Sequence, residues 1–449
     1  MFTLKKQKGI IPKGPSIFYF IKRKKEMGNP KKILDVFLDI INHHGQVCSF
    51  KSGLRERTYL IADANLAHKI FTTPKAFPKY PNLVPDVTKL QSLIGKGLLA
   101  THSDEEWQEH RKQMVGSFKP SIVLTHYWVI INKHLDLLLN DHLSRKNDHL
   151  ANFSEIGILF SGRIISELLS PHHNLSDNEL IEAKRILDKA ILEFHNSSFK
   201  KNAPAYKKAM LAIAKRLFDS YIDHKDISQN SLIAKMSSSF PNIESCAQEQ
   251  NALLERILNI IIAGYETTAT TISWIFYLLA KHPHFTDNLY QQIAHIDLND
   301  PSSYEQLENC SLLSNVIKEG MRLYPALWFN IRYCAEDIIL DEIRIRKNDR
   351  IMLLPYLSNL DSGVYGNPNL FDPLRYDKQE TPSTFPFGHG PRLCVGKALA
   401  EMEIKMIIAG FIQKFRLTPF SHPAPIGGVL LHPDVDIQVK LINRLKVEK

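Results

Sequence analysis

The stretch "QNALLERILNIIIAGYETTATTISWIFYLLAKHP" constrains the fold more than any other part of the sequence. Its apolar residues recur at three- and four-residue spacing, which predicts one long helix over about 247–282. Apolar on both sides, such a helix belongs in a core. Its middle breaks the rule. Residues 263–271 read "AGYETTATT", an acid and four threonines where apolar residues are expected. Threonine is a poor helix former and a buried carboxylate is costly, so the local choices are unfavourable. Helical spacing puts Ala263 with Thr267, and Gly264 with Thr268, on shared faces. A glycine beside a hydroxyl lets something lie against the backbone and be hydrogen-bonded. Alternatively, the threonines bond back to carbonyls four residues earlier and bend the helix.

Around this element, most of residues 30–330 reads as helix broken by short Pro/Asn/Asp/Gly turns. Strand character is confined to "QVCSFKSGLRERTYLIAD" near the start, "DIILDEIRIRKNDRIMLLPY" at 337–356, and "GVLLHPDVDIQVKLINR" at the end. In the second of these, "KND" offers a hairpin turn, since Asn and Asp tolerate left-handed backbone. The expected fold class is mainly α with small peripheral β-sheets. No repeat, low-complexity tract or Gly/Ser linker divides the 449 residues, so the reading is a basic N-terminal arm over 1–30 and one intermeshed unit over 31–449. No stretch approaches the roughly 20 apolar residues of a spanning helix. The arm's "SIFYFI" is shorter than the apolar region of a signal peptide, so the expectation is a cytoplasmic protein. Basic flanks on that apolar stretch allow weak peripheral contact with a membrane. Five cysteines, at 48, 246, 310, 334 and 394, show no CxxC pair, which argues against a disulfide framework and structural zinc. The net charge of +9 suits an acidic partner or surface, and the scattered basic residues argue against nucleic acid.

Three further stretches could carry chemistry. "FPFGHGPRLCVGKAL", residues 385–399, surrounds Cys394 with glycines at 388, 390 and 396 and places Arg392 two residues before it. A sulfur at the mouth of a helix, beside backbone amides and a cation, sits where a thiolate is stabilised. "KEGMRLYP" sets Glu319 and Arg322 at i, i+3, on its own an ordinary surface salt bridge. "EEWQEHRKQM" sets Trp107 and Arg111 on one helix face, two donors suited to a carboxylate or a Trp packed beside a snorkelling Arg.

Together and in this order, the stretches resemble the cytochrome P-450 family, the haem-thiolate monooxygenases, over about residues 30–440. "FGHGPRLCVG" matches the cysteine-loop pattern at Phe387, Gly390, Arg392, Cys394 and Gly396. "AGYETT" resembles the oxygen-activating stretch of the central helix, Glu319-x-x-Arg322 the buried ion-pair motif, "FDPLRY" the segment completing it through Arg375, and "WQEHR" the haem-propionate helix. Tyr265 stands where a smaller or imidazole side chain is usual, and Leu374 where a glutamate is common.

The resemblance implies a triangular prism with haem b between the central helix and the cysteine-ligand loop. Cys394 would ligate the iron, Phe387 would pack beside the sulfur, and Arg392, Arg332, Trp107 and Arg111 would bind the propionates. Thr267 would hold the hydrogen-bond chain that delivers protons, fed by Glu266. Glu319, Arg322 and Arg375 would be structural. An acid followed by Thr267 favours a dioxygen-using enzyme over peroxide-driven or rearranging relatives. The 55 residues after Cys394 (449 − 394) are too few for a flavin domain, so electrons come from outside. The expected donor is an acidic ferredoxin or flavodoxin with an NAD(P)H-dependent reductase, docking near Lys397, Lys405 and Lys112. The substrate would be a small lipophilic molecule, a fatty acid or terpenoid, lined by residues of about 80–98 and by Trp328 and Phe329, unless these two are core residues. The chain is expected to be a monomer. Two rival readings stand beside this one: a haem-thiolate enzyme using peroxide or catalysing rearrangement or dehydration, and a non-enzymatic basic helical binding protein.

Overall fold

A computed structural model describes residues 9–53, 56–79, 85–101, 103–145, 148–172, 175–194, 198–225, 229–378 and 384–444. The predicted central helix runs Ala247–Lys281. It is buried along most of its length because other helices pack around it. Helix Phe153–Leu169 crosses it closely. A Cβ on Gly264 would meet Ile165 Cγ1 at 2.7 Å, and one on Gly157 would meet the Ala269 carbonyl at 2.8 Å. Only glycine at each position lets the two backbones approach so far. Gly264 therefore serves helix packing, and Thr268 beside it is buried.

The helix after the cysteine loop, Lys397–Lys414, closes the same core. Phe153 stacks on Phe276 with centroids 4.0 Å apart, and Phe411 meets both edge-on at 5.2 and 5.5 Å. One aromatic cluster thus joins three helices, each ring contributing roughly 1.5–3 kcal/mol by leaving water. Trp274 stacks flat on Tyr324 at 3.9 Å, tying the central helix to the end of helix Ser311–Leu323. Among the described residues no helix is long and apolar enough to cross a membrane.

The sheets are small and peripheral, as expected. Strands β1 (Val47–Lys51) and β2 (Arg57–Ile61) form the predicted antiparallel pair. With β3 (His149–Asn152), β4 (Asn330–Tyr333), β5 (Ile338–Leu340), β6 (Ile343–Ile345), β7 (Arg350–Leu353), β8 (Phe415–Pro419), β9 (Pro425–Gly427), β10 (Leu431–Pro433) and β11 (Gln438–Asn443), they make four sheets. The larger two run β1-β2-β7-β4 and β3-β11-β8. The hairpin expected at "KND" forms elsewhere. β5 and β6 are joined by Asp341 and Glu342, at φ 45° and 65°, the double left-handed geometry of a tight hairpin. Asn348 has φ 69°, but the chain leaving it enters β7, which pairs parallel to β2 and antiparallel to β4. Asp349 fixes that exit by accepting from the Arg57 and Arg346 amides at 2.9 and 2.8 Å.

The Glu319–Arg322 pair is no surface salt bridge: both residues are 0% exposed. The guanidinium meets the carboxylate bidentately at 2.8 Å twice, and donates to the carbonyls of Asn359, Pro368 and Leu370. Glu319 Oε1 also accepts from Arg375 Nε at 2.9 Å and the Asp372 amide at 3.0 Å, while Tyr376 donates to Oε2 at 3.2 Å. Leu374 stays 41% exposed outside the network. A second buried acid, Glu403, has an oxygen without a partner among the described residues, and burial pushes its carboxyl up to about 8.

Arg322→Ala leaves the buried Glu319 charge to Arg375 and strips three buried carbonyls of their donor, and chemical denaturation should show a loss of about 3–5 kcal/mol. Glu403 holds a proton in the folded protein that the unfolded chain releases above its ordinary value near 4.5. Its contribution is therefore full at low pH and falls as pH rises from there to about 8, by about 1.4 kcal/mol per pH unit. Glu403→Gln should flatten that slope and be the more stable protein at pH 8, as read from denaturation midpoints across pH.

Candidate functional site around Cys394

Backbone geometry builds the cysteine loop. Gly388 and Gly390 stand at φ +71° and +70°, where a side chain is strained. A Cβ on Gly390 would also strike the Phe71 carbonyl at 2.4 Å, so the loop is pressed against helix Ala64–Thr72. Gly396 differs: its φ is −84°, and a Cβ there would meet nothing. The loop closes through Cys394 N–H to Phe387 carbonyl at 2.9 Å and Leu393 N–H to Gly390 carbonyl at 3.0 Å.

Cys394 keeps an accessible face, although the surrounding protein is dense enough to push its thiol above the ordinary range. Two groups act the other way: the Gly396 N–H donates to the sulfur, and the Arg111 guanidinium lies nearby. Phe387 is partly buried, packed on the main core, with Lys397 Nζ 5.9 Å above its ring.

Helix Asp104–Val115 brings the other donors to this loop. Ser103 caps it, accepting from the Glu106 amide at 3.2 Å. Arg111 donates to the Leu393 carbonyl at 2.8 Å. Arg392 lies over the Trp107 ring at 4.1 Å and pairs with Asp104. Trp107 is buried, with the Arg111 guanidinium 5.4 Å from its ring centroid and that of Arg392 nearer still. Arg332, on β4, is buried with its guanidinium 5.1 Å from the Phe71 ring. The structure thus gathers Trp107, Arg111, Arg392 and Cys394 as the sequence suggested. It adds Lys79, which sequence reading missed because one lysine in the aperiodic "AFPKYP" carries no pattern. Desolvation, then the charges of Arg332 and Arg392, push Lys79 down to about 7. Cations held this close are tolerable where an anion belongs.

On the central helix, Ile262, Ala263, Gly264 and Thr267 are only partly buried, while Tyr265, Glu266 and Thr268 are buried. Thr267 donates to the Ala263 carbonyl at 2.9 Å, and Thr271 to that of Thr267 at 2.9 Å, so the back-bonded arrangement holds here. Glu266 is placed differently from the expected alliance with Thr267. Neighbouring helical residues do not face each other. The Glu266 carboxyl turns instead to His432 Nε2, 3.7 Å away, with Asp188 close by. Burial, then Asp188, push it up to about 8. Tyr265 is fully buried, and burial raises its hydroxyl well above the ordinary value.

For Trp328 and Phe329 the core alternative holds, and Lys405 is a correction. Trp328 is 0% exposed, donates to the Gly428 carbonyl at 2.8 Å and packs on Phe37, so it is core. Phe329 packs on the same cluster. Residues 80–84 of the expected lining lie outside the described residues. Leu93 and Ile94 of helix Pro85–Ile94 cluster with Phe199 and Ala203, and Phe194 and Ile262 pack on them. Lys405 is buried and its ammonium is committed to Glu308, which removes it from any docking face. Lys397 and Lys112 are exposed.

The fold and the cysteine loop are those of a haem-thiolate protein. The family profile of cytochrome P-450 matches residues 12–441, and the chain belongs to that family. A crystal structure of a cytochrome P-450, CYP102L1, superposes with a TM-score of 0.77 at 21% identity, covering 92% of this chain and 95% of that one. The chain is 32% identical to human mitochondrial 25-hydroxyvitamin D-1 alpha hydroxylase over 43% of its own length and 40% of the relative's. It is 29% identical to pentalenene oxygenase of Streptomyces avermitilis over 40% and 42%. The chain therefore spans about two-fifths of these curated relatives. It is 24% identical to the probable cytochrome P-450 4ac2 of Drosophila melanogaster over 86% and 81%.

The family implies a haem, and the residues fit one. An accessible sulfur in a dense surrounding, with Lys79, Arg332 and Arg392 gathered near it and Arg392 laid over the Trp107 ring, matches an iron ligand and two carboxylates. Lys79→Gln should release haem to apomyoglobin about tenfold faster, one lost ion pair being worth about 1.4 kcal/mol here, as followed by Soret absorbance.

Proposed function

We propose that this chain is a monooxygenase with one haem domain from residue 31 onward, inserting one oxygen atom of O2 into a small lipophilic molecule. The observation that carries the reading is Cys394, an accessible thiol that accepts the Gly396 N–H beside Arg111. When bound, haem supplies dioxygen activation, tuned by thiolate donation to the iron.

The chain's own residues supply the rest. The Gly396 amide and the Arg111 guanidinium stabilise negative charge on the Cys394 sulfur and so set its donor strength. Trp107, Arg392, Arg332 and Lys79 would hold the propionates. The Thr267 hydroxyl, by leaving the Ala263 carbonyl, becomes free to donate into the site. Glu266 is protonated at neutral pH, so it carries a proton to give, as a general acid in this position needs. Ile262 and Phe194, packed on the apolar cluster, favour a fatty acid or terpenoid and exclude water. By their names, two of the relatives act on 25-hydroxyvitamin D and on pentalenene.

Electrons come from a separate acidic ferredoxin or flavodoxin that meets Lys397 and Lys112, on whose helices the cysteine loop rests. Ile17, Phe18 and Ile21 are exposed on the short helix Ile17–Lys22, with Lys22, Lys24 and Lys25 exposed beside them. That pairing of apolar and basic groups supports peripheral contact with an anionic membrane.

Cys394→Ala should lose the thiolate-type Soret shift of the reduced carbon monoxide complex. Thr267→Ala should keep that spectrum while the peroxide released per O2 consumed rises about tenfold or more, the loss expected when proton delivery fails. A tightly coupled Thr267→Ala enzyme, measured by oxygen electrode and peroxide assay, would remove Thr267 from the mechanism.

A further inference from the structure

Glu266 lies at the inner end of a cluster that the sequence did not reveal. His432, on β10, stands 3.7 Å from it, and one donor atom each of Glu266, His432 and Asp188 lies within 4.8 Å of the others. Asp188 belongs to helix Asp177–Glu193, where Lys184, one turn earlier, donates to it at 2.6 Å. Both Glu266 Oε2 and His432 Nε2 are buried without a hydrogen-bond partner among the described residues. Unsatisfied atoms of this kind are uncommon in cores and ask for a reason. Their positions are fixed by packing. Trp274, two turns after Glu266 on the same helix, donates to the Leu431 carbonyl at 3.2 Å, and the Leu431 amide donates to Ala326 at 2.9 Å. The residue next to His432 is thus pinned to the helix that carries Glu266.

The cluster also has a direction. Side-chain exposure rises from 4% at Glu266 to 12% at His432 and 35% at Asp188. Glu266 is faced by Asp188 and Lys184 from one helix, by His432 from the strand and by Tyr265 from its own helix, with Asp436 acting on Lys184. A divalent cation fits poorly, because the Lys184 ammonium already occupies Asp188. Protons fit well. Burial pushes Glu266 up to about 8 and His432 down to about 4, so both are neutral at pH 7 and the pair can exchange a proton without a standing buried charge.

We propose that His432 is a positioning residue that reloads Glu266 with protons, and that the Asp188–Lys184 pair marks the solvent end of this path. The inference rests on Glu266 being the proton donor proposed above. In the step, the Glu266 side chain turns away from His432, gives its carboxyl proton into the site and returns as a carboxylate. His432 then passes its Nε2 proton to that carboxylate while Nδ1 takes one from water: an O–H bond forms on Glu266, an N–H bond breaks at Nε2, and another forms at Nδ1. The hydroxide left behind takes a proton from buffer, a flip of the imidazole ring brings the new N–H round to Glu266 for the next proton, and no electrons move.

The test uses the haem-loaded full chain. Infrared spectra at pH 7 should show a protonated-carboxyl band that disappears in E266Q. In H432F that band should move, because the imidazole 3.7 Å from the carboxyl is gone. With a surrogate ferredoxin and its reductase supplying electrons, H432F and H432Q should release about tenfold more peroxide per O2 consumed, in the range of a lost acid–base relay. Their carbon monoxide complexes should keep the Cys394 thiolate signature, and peroxide-driven turnover should fall less than dioxygen-driven turnover. D188N should shift the solvent isotope effect in the same direction as H432Q. If H432F and H432Q keep both the wild-type band and the wild-type coupling while E266Q is uncoupled, the role of His432 is overturned and that of Glu266 stands. If E266Q itself stays coupled, the underlying reading fails. Tight binding of Zn2+ that H432Q abolishes would also overturn the proposal, making the cluster a metal site.

Discussion

A carboxylate and two guanidinium groups, withdrawn from water between helix Ser311–Leu323 and the segment that leads to the cysteine loop, hold the rest of the structure in place. Glu319 and Arg322 are both fully buried, and their cost is met because nearly every polar atom of the trio has a partner. Arg322 gathers the carbonyls of residues 359, 368 and 370, which otherwise belong to an irregular stretch with no ladder to satisfy them. Irregular backbone can run through an interior only where something accepts and donates along it. The network therefore lets a loop, rather than a strand or helix, lead to the face where Cys394 is displayed.

Charge also organises the side of the loop near Trp107. Arg392, Arg332 and Lys79 lie close enough that one of them, Lys79, is held near neutrality at pH 7. Asp104 offsets part of this crowding through Arg392, and the carboxylates of the haem proposed above would offset more. The central helix shows the same division of purpose. Gly264 and Gly157 are small so that two backbones can touch, whereas Ala263 and Thr267 lie on a face that its neighbours do not share.

The polar residues within "AGYETT" point in different directions and do different work. Thr267 bonds to its own helix, Thr268 and Tyr265 pack into the core, and Glu266 faces a helix and a strand far away in sequence. Adjacent residues on a helix are separated by about 100°. A motif that reads as one cluster in sequence is therefore distributed around the helix in space.

The sequence by itself determined the class of fold, the long central helix, the outer strand pairs and the cysteine loop. These depend on periodicity and on backbone preference, which are properties of neighbouring residues. The local spacing of Glu319 and Arg322 showed that they could pair but read as a surface salt bridge; the family resemblance supplied Arg375, and packing supplied the burial. The sequence misplaced the hairpin of residues 337–356, since "KND" and Asp341–Glu342 are both competent turns and only the pairing of β7 with β2 and β4 chose between them. Tertiary structure alone decided that Trp328 is core, that Lys405 is occupied by Glu308, that Lys79 joins the arginines and that His432 meets Glu266. Each of these is a meeting of residues remote in the chain. The physical reason is that burial and charge are set by what packs against a side chain, and one strand of sequence does not record its neighbours in space.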